Sequence, residues 1–465
     1  MKWFLMVGAS LCFTFGLRAQ FSEAQLAHAA ELRDKALTGN GSYEITASLT
    51  TEVGPRLAGS PGDARAVAWA EAKLKALGFE KVYKMPVRFP KWQRGLEQLE
   101  VLSPFPQPLH LTALGFSVGT PENGIEAEVV EVPSLEALTQ MSADQVRGKI
   151  VFINNRMERA KSGAGYGPAV VARRSGASES ARLGGLAVLI RSIGTDDHRF
   201  PHTGVLRYEE DVKRIPAAAL SNPDADLLAD MLRRDPVVKL KLNMQCGVTE
   251  EATSYNVIGE FPGRESPEKV VLLGAHLDSW DLGTGAIDDA AGVGIVTEAA
   301  RMIGLSGKRP RHTIRVVLFA NEETGLFGAR QYAVDMADQL HNHIICAESD
   351  FGAGKIWQFS SWVQPDRLGY VAQMASVLAP LDITFGGNTA DGGPDLIPLR
   401  ALGVPVVELL QDGTDYFDYH HTADDTLDKV NPQDLAQNVA VYAAFAYLAA
   451  ELPEGFGSMK ALTNP

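Results

Sequence analysis

The chain sets hard oxygen and imidazole donors directly after apolar runs. "VVLLGAH" ends on His276 and leads to Asp278 and Asp288. "TIRVVLFA" is followed by Glu322 and Glu323 in "NEETG", and "HIICAE" by Asp350 in "SD". "VPVVELL" is followed by His420 and His421 in "DYFDYHHTADDT". Carboxylates gathered at one place repel one another, and bound cations resolve that conflict. Two imidazoles and three carboxylates suit two zinc ions, with one carboxylate bridging and water at the open positions. Two metals about 3.5–4 Å apart clamp a hydroxide and polarise a carbonyl together. Their charge lowers the pKa of water from about 15.7 toward roughly 7. A further carboxylate must then carry the proton from water to the leaving amine, and the pair Glu322-Glu323 offers one ligand and one base.

The elements that position these groups are legible in the hydrophobic pattern. "YNVIGEF", "VVLLGAH", "TIRVVLFA", "HIICAE" and "VPVVELL" read as strands. Helical stretches separate them over 289–303, 325–340 and 367–378. Near-continuous apolar strands alternating with helices predict an α/β fold with a mostly parallel central sheet covered on both faces. In such a sheet ligands bind beyond the carboxyl ends of the strands, where all these donors lie. Asn431 as cap and Pro432 in the first turn open a final core helix. Between about 115 and 247 the texture differs. Short strands ("AEVVEV", "GKIVFIN", "LAVLIRS", "IPAAALS", "VVKLKLN") recur without ligand-like spacing of His, Asp and Glu, so the region reads as a separate, non-catalytic module. Its Gly-, Ser- and Arg-rich segment 156–185 reads as loops.

Length and charge narrow the partners. The 465 residues carry a formal charge of −14, which argues against nucleic acid, because phosphate binding needs a concentrated basic surface. The start, "MKWFLMVGASLCFTFGLRAQ", has a basic residue, an apolar stretch and a small residue at Ala19. It reads as a secretory signal peptide over 1–19, too short for a membrane span, which makes the mature chain secreted or periplasmic with no stable membrane insertion. Export permits a disulfide between Cys246 and Cys346, although Cys346 lies in an apolar run. A His-Glu-x-x-His helix, a Gly-x-Ser-x-Gly elbow and a phosphate-binding Gly-rich loop are all missing from the sequence.

The motifs "GAHLDS", "GAIDDAAG", "NEETGLFGA", "ESD" and "YHHTADDT", in this order, resemble the co-catalytic zinc exopeptidases, a group that includes bacterial aminopeptidases and glutamate carboxypeptidases. "HLDSWDLGTGAIDDAAG", "PHTG" and the doubled histidine look most like its carboxypeptidase Q branch. The resemblance implies His276, Asp288, Glu323, Asp350 and His421 as metal ligands, with Asp288 and a water or hydroxide bridging two Zn2+. It implies Glu322 as general acid/base and His420 near the developing oxyanion. Asp278 would orient His276 from behind. The peptide after the bridging aspartate, Asp288–Asp289, is often cis in relatives. The domains implied are 20–114 and 248–465 as the two parts of the peptidase, with an inserted protease-associated domain at 115–247. The substrates implied are dipeptides or short peptides with a free N-terminus, and the implied assembly is a homodimer.

Bland readings accompany these. Asp281, Asp289, Asp424 and Asp428 read as caps, turns or solvated surface, and His341 and His343 as structural groups at the wrong strand end. His202 in "PHTG" is a candidate to face substrate, and Asp395 and Arg400 to read a peptide terminus. A carboxypeptidase reading a free C-terminus is the alternative within the enzymes. A receptor-like relative that kept the fold without the chemistry is the alternative outside them.

Overall fold

The computed structural model describes residues 20–460, so the expected signal peptide lies outside the described residues. Strand Ser266–His276 occupies the middle of the sheet, parallel to His312–Phe319 on one side and to His343–Glu348 on the other. Val406–Gln411 adds a further parallel neighbour to His343–Glu348. The pattern turns antiparallel at both flanks, where Ile356–Trp362 pairs with Val406–Gln411 and Lys239–Phe261 with His312–Phe319. Residues 270–276 are buried without a break, as a strand covered on both faces requires. The cover on one face includes Pro432–Glu451, whose Asn431 side chain accepts the Gln433 N–H at 2.9 Å, packed against Glu23–Ala36 and Ala291–Gly304.

Two strands of 23 residues each, Lys81–Ser103 and Lys239–Phe261, pair along most of their length with three register shifts. Their far ends carry the chain into the second half of the sheet. There Ile125–Val132, Ile150–Ile153, Ala187–Arg191 and Ala217–Leu220 run parallel. Leu111–Ala113 closes that edge antiparallel to Ala217–Leu220. This half has its own core, built on Phe152, Leu189, Leu228 and Leu240, and Trp280 from the loop after His276 packs into it. A Cβ on Gly115 would lie 2.3 Å from the Trp280 ring, so only glycine admits this contact.

The segment 156–185 departs from the loop expectation: Tyr166–Arg182 is a helix of 17 residues. Its glycine and serine content is outweighed by burial of Ala169, Val170, Ala172 and Ala177 along one face. Gly176 lets that face approach Ile153, whose Cδ1 would be 2.8 Å from an added Cβ. The helix expected over 325–340 also divides, into Phe327–Asp335 and a 3-10 turn Ala337–Asn342. Cys246 and Cys346 are both free thiols, and Cys346 is fully buried. Among the described residues no helix is long and apolar enough to cross a membrane.

Candidate metal centre

The strand exits deliver their donors to one point. His276 is the last residue of its strand, and its Nε2 lies 2.9 Å from Asp288 Oδ1 and 3.5 Å from Asp350 Oδ1. On the other side of the same carboxylate, His421 Nε2 lies 3.3 Å from Asp288 Oδ2 and 3.1 Å from Glu323 Oε2. Asp288 thus offers one oxygen to each of two donor groups, which is the arrangement of a bridging carboxylate. His420 stacks on His421 with ring centroids 3.5 Å apart, and its Nε2 lies 3.6 Å from Asp288 Oδ2. The donor atoms of His276, Asp288 and Asp350 lie within 4.8 Å of one another, as do those of Asp288, His420 and His421. The hard oxygens and imidazoles of these groups suit zinc.

Electrostatics favour a cation here. Burial pushes Glu322, Glu323 and Asp350 upward, Glu323 to about 7, and neighbouring carboxylates push the same way. Burial opposes a charge on His276, yet Asp350, Asp278 and Asp288 hold the ring well above the usual imidazole range. Burial also opposes charge on Asp288, but hydrogen bonds from His276 and His421 hold it well below the usual carboxylate range. His420 goes the other way, held low by burial and by the neighbouring His421, and so stays neutral. Divalent cations would relieve the repulsion among these acids.

The loop from His276 to Asp288 is fixed by residues whose role the sequence did not disclose. Arg56 is completely buried and donates to the carbonyls of Leu277 at 2.6 Å, Thr284 at 2.7 Å and Gly285 at 2.9 Å. Asp425 Oδ1 accepts from the backbone N–H groups of Ala286 and Ile287, at 2.7 and 2.8 Å. Gly285 takes φ +60°, and a Cβ there would lie 2.4 Å from Ser279 Cβ. The Asp288–Asp289 peptide is cis, as in the resemblance. Asp289 is a buried group and not solvated surface. Its Oδ2 accepts from His276 N–H at 3.0 Å and its Oδ1 from Gly292 N–H at 3.1 Å, the second contact capping the following helix. The only sequence hints were Pro-Arg in a glycine-rich stretch and the second aspartate of "ADDT", neither of which signals burial.

Asp278 orients its neighbours differently from the expectation. His276 Nδ1 meets the main-chain carbonyl of Asp278 at 3.0 Å, whereas the carboxylate is 3.7 Å away. That carboxylate accepts the Glu322 N–H at 3.0 Å and so ties the two strand exits together. Glu322 and Glu323 both line the open cavity but differ in partners: Glu323 Oε1 accepts the Trp280 N–H at 3.2 Å, while the Glu322 carboxylate accepts from no described residue. His202 is buried away from that cavity against Asp196, at 2.5 Å, so it does not face substrate. His343 begins its strand at the opposite end of the sheet, as read. Arg400 packs over Trp362, and Asp395 is buried beneath the site with neither carboxylate oxygen hydrogen-bonded.

A cavity of about 860 Å³ opens above these groups, lined by Asp288, Glu322, Glu323, Asp350, His420 and His421 among others. Metal-suited donors beside a substrate-sized cavity at the carboxyl edge of helix-flanked parallel strands are what a metallopeptidase needs. The chain belongs to Peptidase family M28, whose profile matches residues 256–446. It is 36% identical over 415 residues to carboxypeptidase Q of Homo sapiens, covering 89% of this chain and 86% of that relative. The crystal structure of a peptidase M28 precursor from Shewanella amazonensis superimposes with a TM-score of 0.92 at 51% identity, covering 94% of this chain and 99% of that one. A zinc aminopeptidase from Bacillus subtilis shares the fold, with a TM-score of 0.64 at 19% identity over 90% of this chain and 98% of that one. The protein is a zinc-dependent metallo-exopeptidase.

Proposed function

We propose that this exopeptidase hydrolyses dipeptides or short peptides with a free N-terminus, outside the cytoplasm. Two zinc ions would be held by His276 with Asp350 and by His421 with Glu323, with Asp288 and a water or hydroxide shared between them. When bound, zinc supplies a Lewis acid that activates water and polarises the scissile carbonyl. The chain's own residues do the rest. Glu322 faces the cavity with no hydrogen bond to its carboxylate from any described residue, and burial raises its proton affinity. It takes a proton from the attacking water and delivers it to the leaving amine. His420, neutral and stacked on His421, donates toward the oxygen on which charge develops.

The observation that carries this reading is the division of Asp288, one oxygen toward each donor group, with Glu322 beside it and free. The free N-terminus is supported by Glu408, which lines the same cavity and pairs with no cation among the described residues. We assign residues 115–247 to an inserted protease-associated domain and 1–19 to an export signal, and expect a homodimer. The test is hydrolysis by zinc-loaded protein of one dipeptide in free, N-acetylated and C-amidated forms. Loss of cleavage on acetylation supports the amine requirement. Full activity on the acetylated peptide, with loss on amidation, would replace it with a carboxypeptidase.

A further inference from the structure

The loop from His276 to Asp288 is held from a second side by Arg94, on strand Lys81–Ser103. Its side chain is 9% exposed, and every nitrogen of the guanidinium is taken. Nε donates to Asp281 Oδ2 at 2.9 Å and Nη2 to Asp281 Oδ1 at 3.1 Å, a two-point ion pair. Nη1 donates to Glu97 Oε1 at 2.8 Å and to the Ala113 carbonyl at 2.9 Å. Nη2 also reaches Thr203 Oγ1 at 3.1 Å. Trp92 lies under the guanidinium at 5.1 Å and meets Trp280 edge-on, with ring centroids 6.2 Å apart. Asp281, read from the sequence as a cap, turn or solvated group, is thus an anchor of its loop.

Trp280 is the neighbour of Asp281, and it bears on one side of the metal centre. Its N–H donates to Glu323 Oε1 at 3.2 Å, and its ring centroid lies 5.7 Å from that of His421. The Thr203 backbone meets His421 as well. Arg94 therefore joins two segments that both touch the His421 and Glu323 donor group. His276 is held differently: its N–H goes to Asp289 and its Nδ1 meets the Asp278 carbonyl, and neither residue bonds to Arg94. A charge-assisted two-point pair is stronger and more directional than the neutral contact to Thr203, so the Asp281 arm carries most of the constraint. We infer that Arg94 is a positioning residue for the His421 and Glu323 donor group: it fixes the Trp280–Asp281 turn, and that turn sets these two donors while leaving His276 and Asp350 untouched. The inference rests on the two-zinc reading above and adds a residue outside the ligand set.

Calorimetric titration of full-length, metal-free protein with zinc tests it. Wild type should show two binding events. Arg94→Gln should weaken one of them by about 10–100-fold, as the loss of a ligand-orienting contact does, and leave the other close to its wild-type strength. Asp281→Asn should weaken the same event by about tenfold. Arg94→Lys keeps the charge without the fork and should fall between Arg94→Gln and wild type. These last two variants carry the test if Arg94→Gln does not fold. Glu97→Gln is the control for a merely structural role, since Glu97 binds the same guanidinium without reaching the Trp280–Asp281 turn. It should leave both events close to wild type. Adding Arg94→Gln to Glu323→Gln, whose one remaining event belongs to His276 and Asp350, should change nothing further. Equal weakening of both events, two unchanged events in Arg94→Gln, or a loss in Glu97→Gln as large as in Asp281→Asn overturns the inference. A single event in the wild type overturns the two-zinc reading, and the inference with it.

Discussion

His421 Nδ1 lies 3.3 Å from the main-chain carbonyl of Thr203, and the Thr203 N–H donates back to the His421 carbonyl at 3.0 Å. This reciprocal pair joins the second half of the sheet to the proposed metal site. With Nδ1 carrying the proton toward Thr203, Nε2 is left as the lone-pair donor facing Asp288 and Glu323. Thr203→Pro removes the donor and displaces the carbonyl. It should lower zinc affinity at one of the two proposed sites by about 10–100-fold, as the loss of a ligand-orienting contact does. Thr203→Val keeps both backbone groups and should retain both metals. Zinc analysis after dialysis against a weak chelator checks the pair.

Glu322 and Glu323 are adjacent and both line the cavity, yet Glu323 accepts the Trp280 N–H whereas no described residue hydrogen-bonds the Glu322 carboxylate. Glu322→Gln should therefore reduce kcat by about 10²–10⁴-fold, the usual share of a general acid/base, with two zinc ions still bound. Glu323→Gln should lose one zinc, and Asp288→Ala should lose both together because each donor group uses one of its oxygens. Metal content and kcat measured on the same preparations decide it. Zinc loss in Glu322→Gln with retention in Glu323→Gln would exchange the two roles.

Most of the sheet was legible because a buried parallel strand must be continuously apolar, and its carboxyl end is then marked by the first polar residues. His276, Glu322, Glu323 and Asp350 sit at such ends, whereas His421 follows strand Val406–Gln411 only after the short helix Tyr416–Tyr419. What was not legible depends on contacts between segments distant in sequence. Arg56 lies more than two hundred residues from the loop that it holds, and nothing in "GPRLAG" indicates that its guanidinium is buried. The helix Tyr166–Arg182 was hidden by its glycines and serines, because the close approach of Gly176 to Ile153 is tertiary. Asp278 fell between these cases: its place beside His276 was readable, but whether carbonyl or carboxylate faced the ring was not.

Arg56 supports a prediction about that loop. Its buried guanidinium satisfies three carbonyls, and among the described residues no other side-chain donor reaches all three. Arg56→Met matches its length but leaves the carbonyls without these partners, at a cost of about 3 kcal/mol. Arg56→Lys should be nearly as damaging, since one ammonium cannot span the fork. Urea unfolding of zinc-free protein reads the stability directly. A shift in zinc affinity without a shift in unfolding midpoint would place Arg56 in metal binding alone.

The opposite end of the sheet supplies a pH prediction independent of the metal site. His343 is buried; its Nε2 accepts from Tyr332 Oη at 2.9 Å and its Nδ1 faces the Gln339 carbonyl at 3.3 Å. Arg315 in turn donates to Tyr332 Oη at 2.8 Å. Burial and the nearby Arg315 charge push His343 down to about 4, from an unfolded value of 6.5. Because the folded value is depressed, the unfolded chain binds the proton first. The stability contribution is complete above pH 6.5 and is lost as pH falls toward about 4, a change on the order of 3 kcal/mol. Below that pH both states are protonated and the slope ends. His343→Gln should remove this share of the acid sensitivity and be less stable than wild type at pH 8, with the difference narrowing toward pH 4. Urea titrations of zinc-free protein at four pH values test it, and parallel pH profiles for the two proteins would refute it.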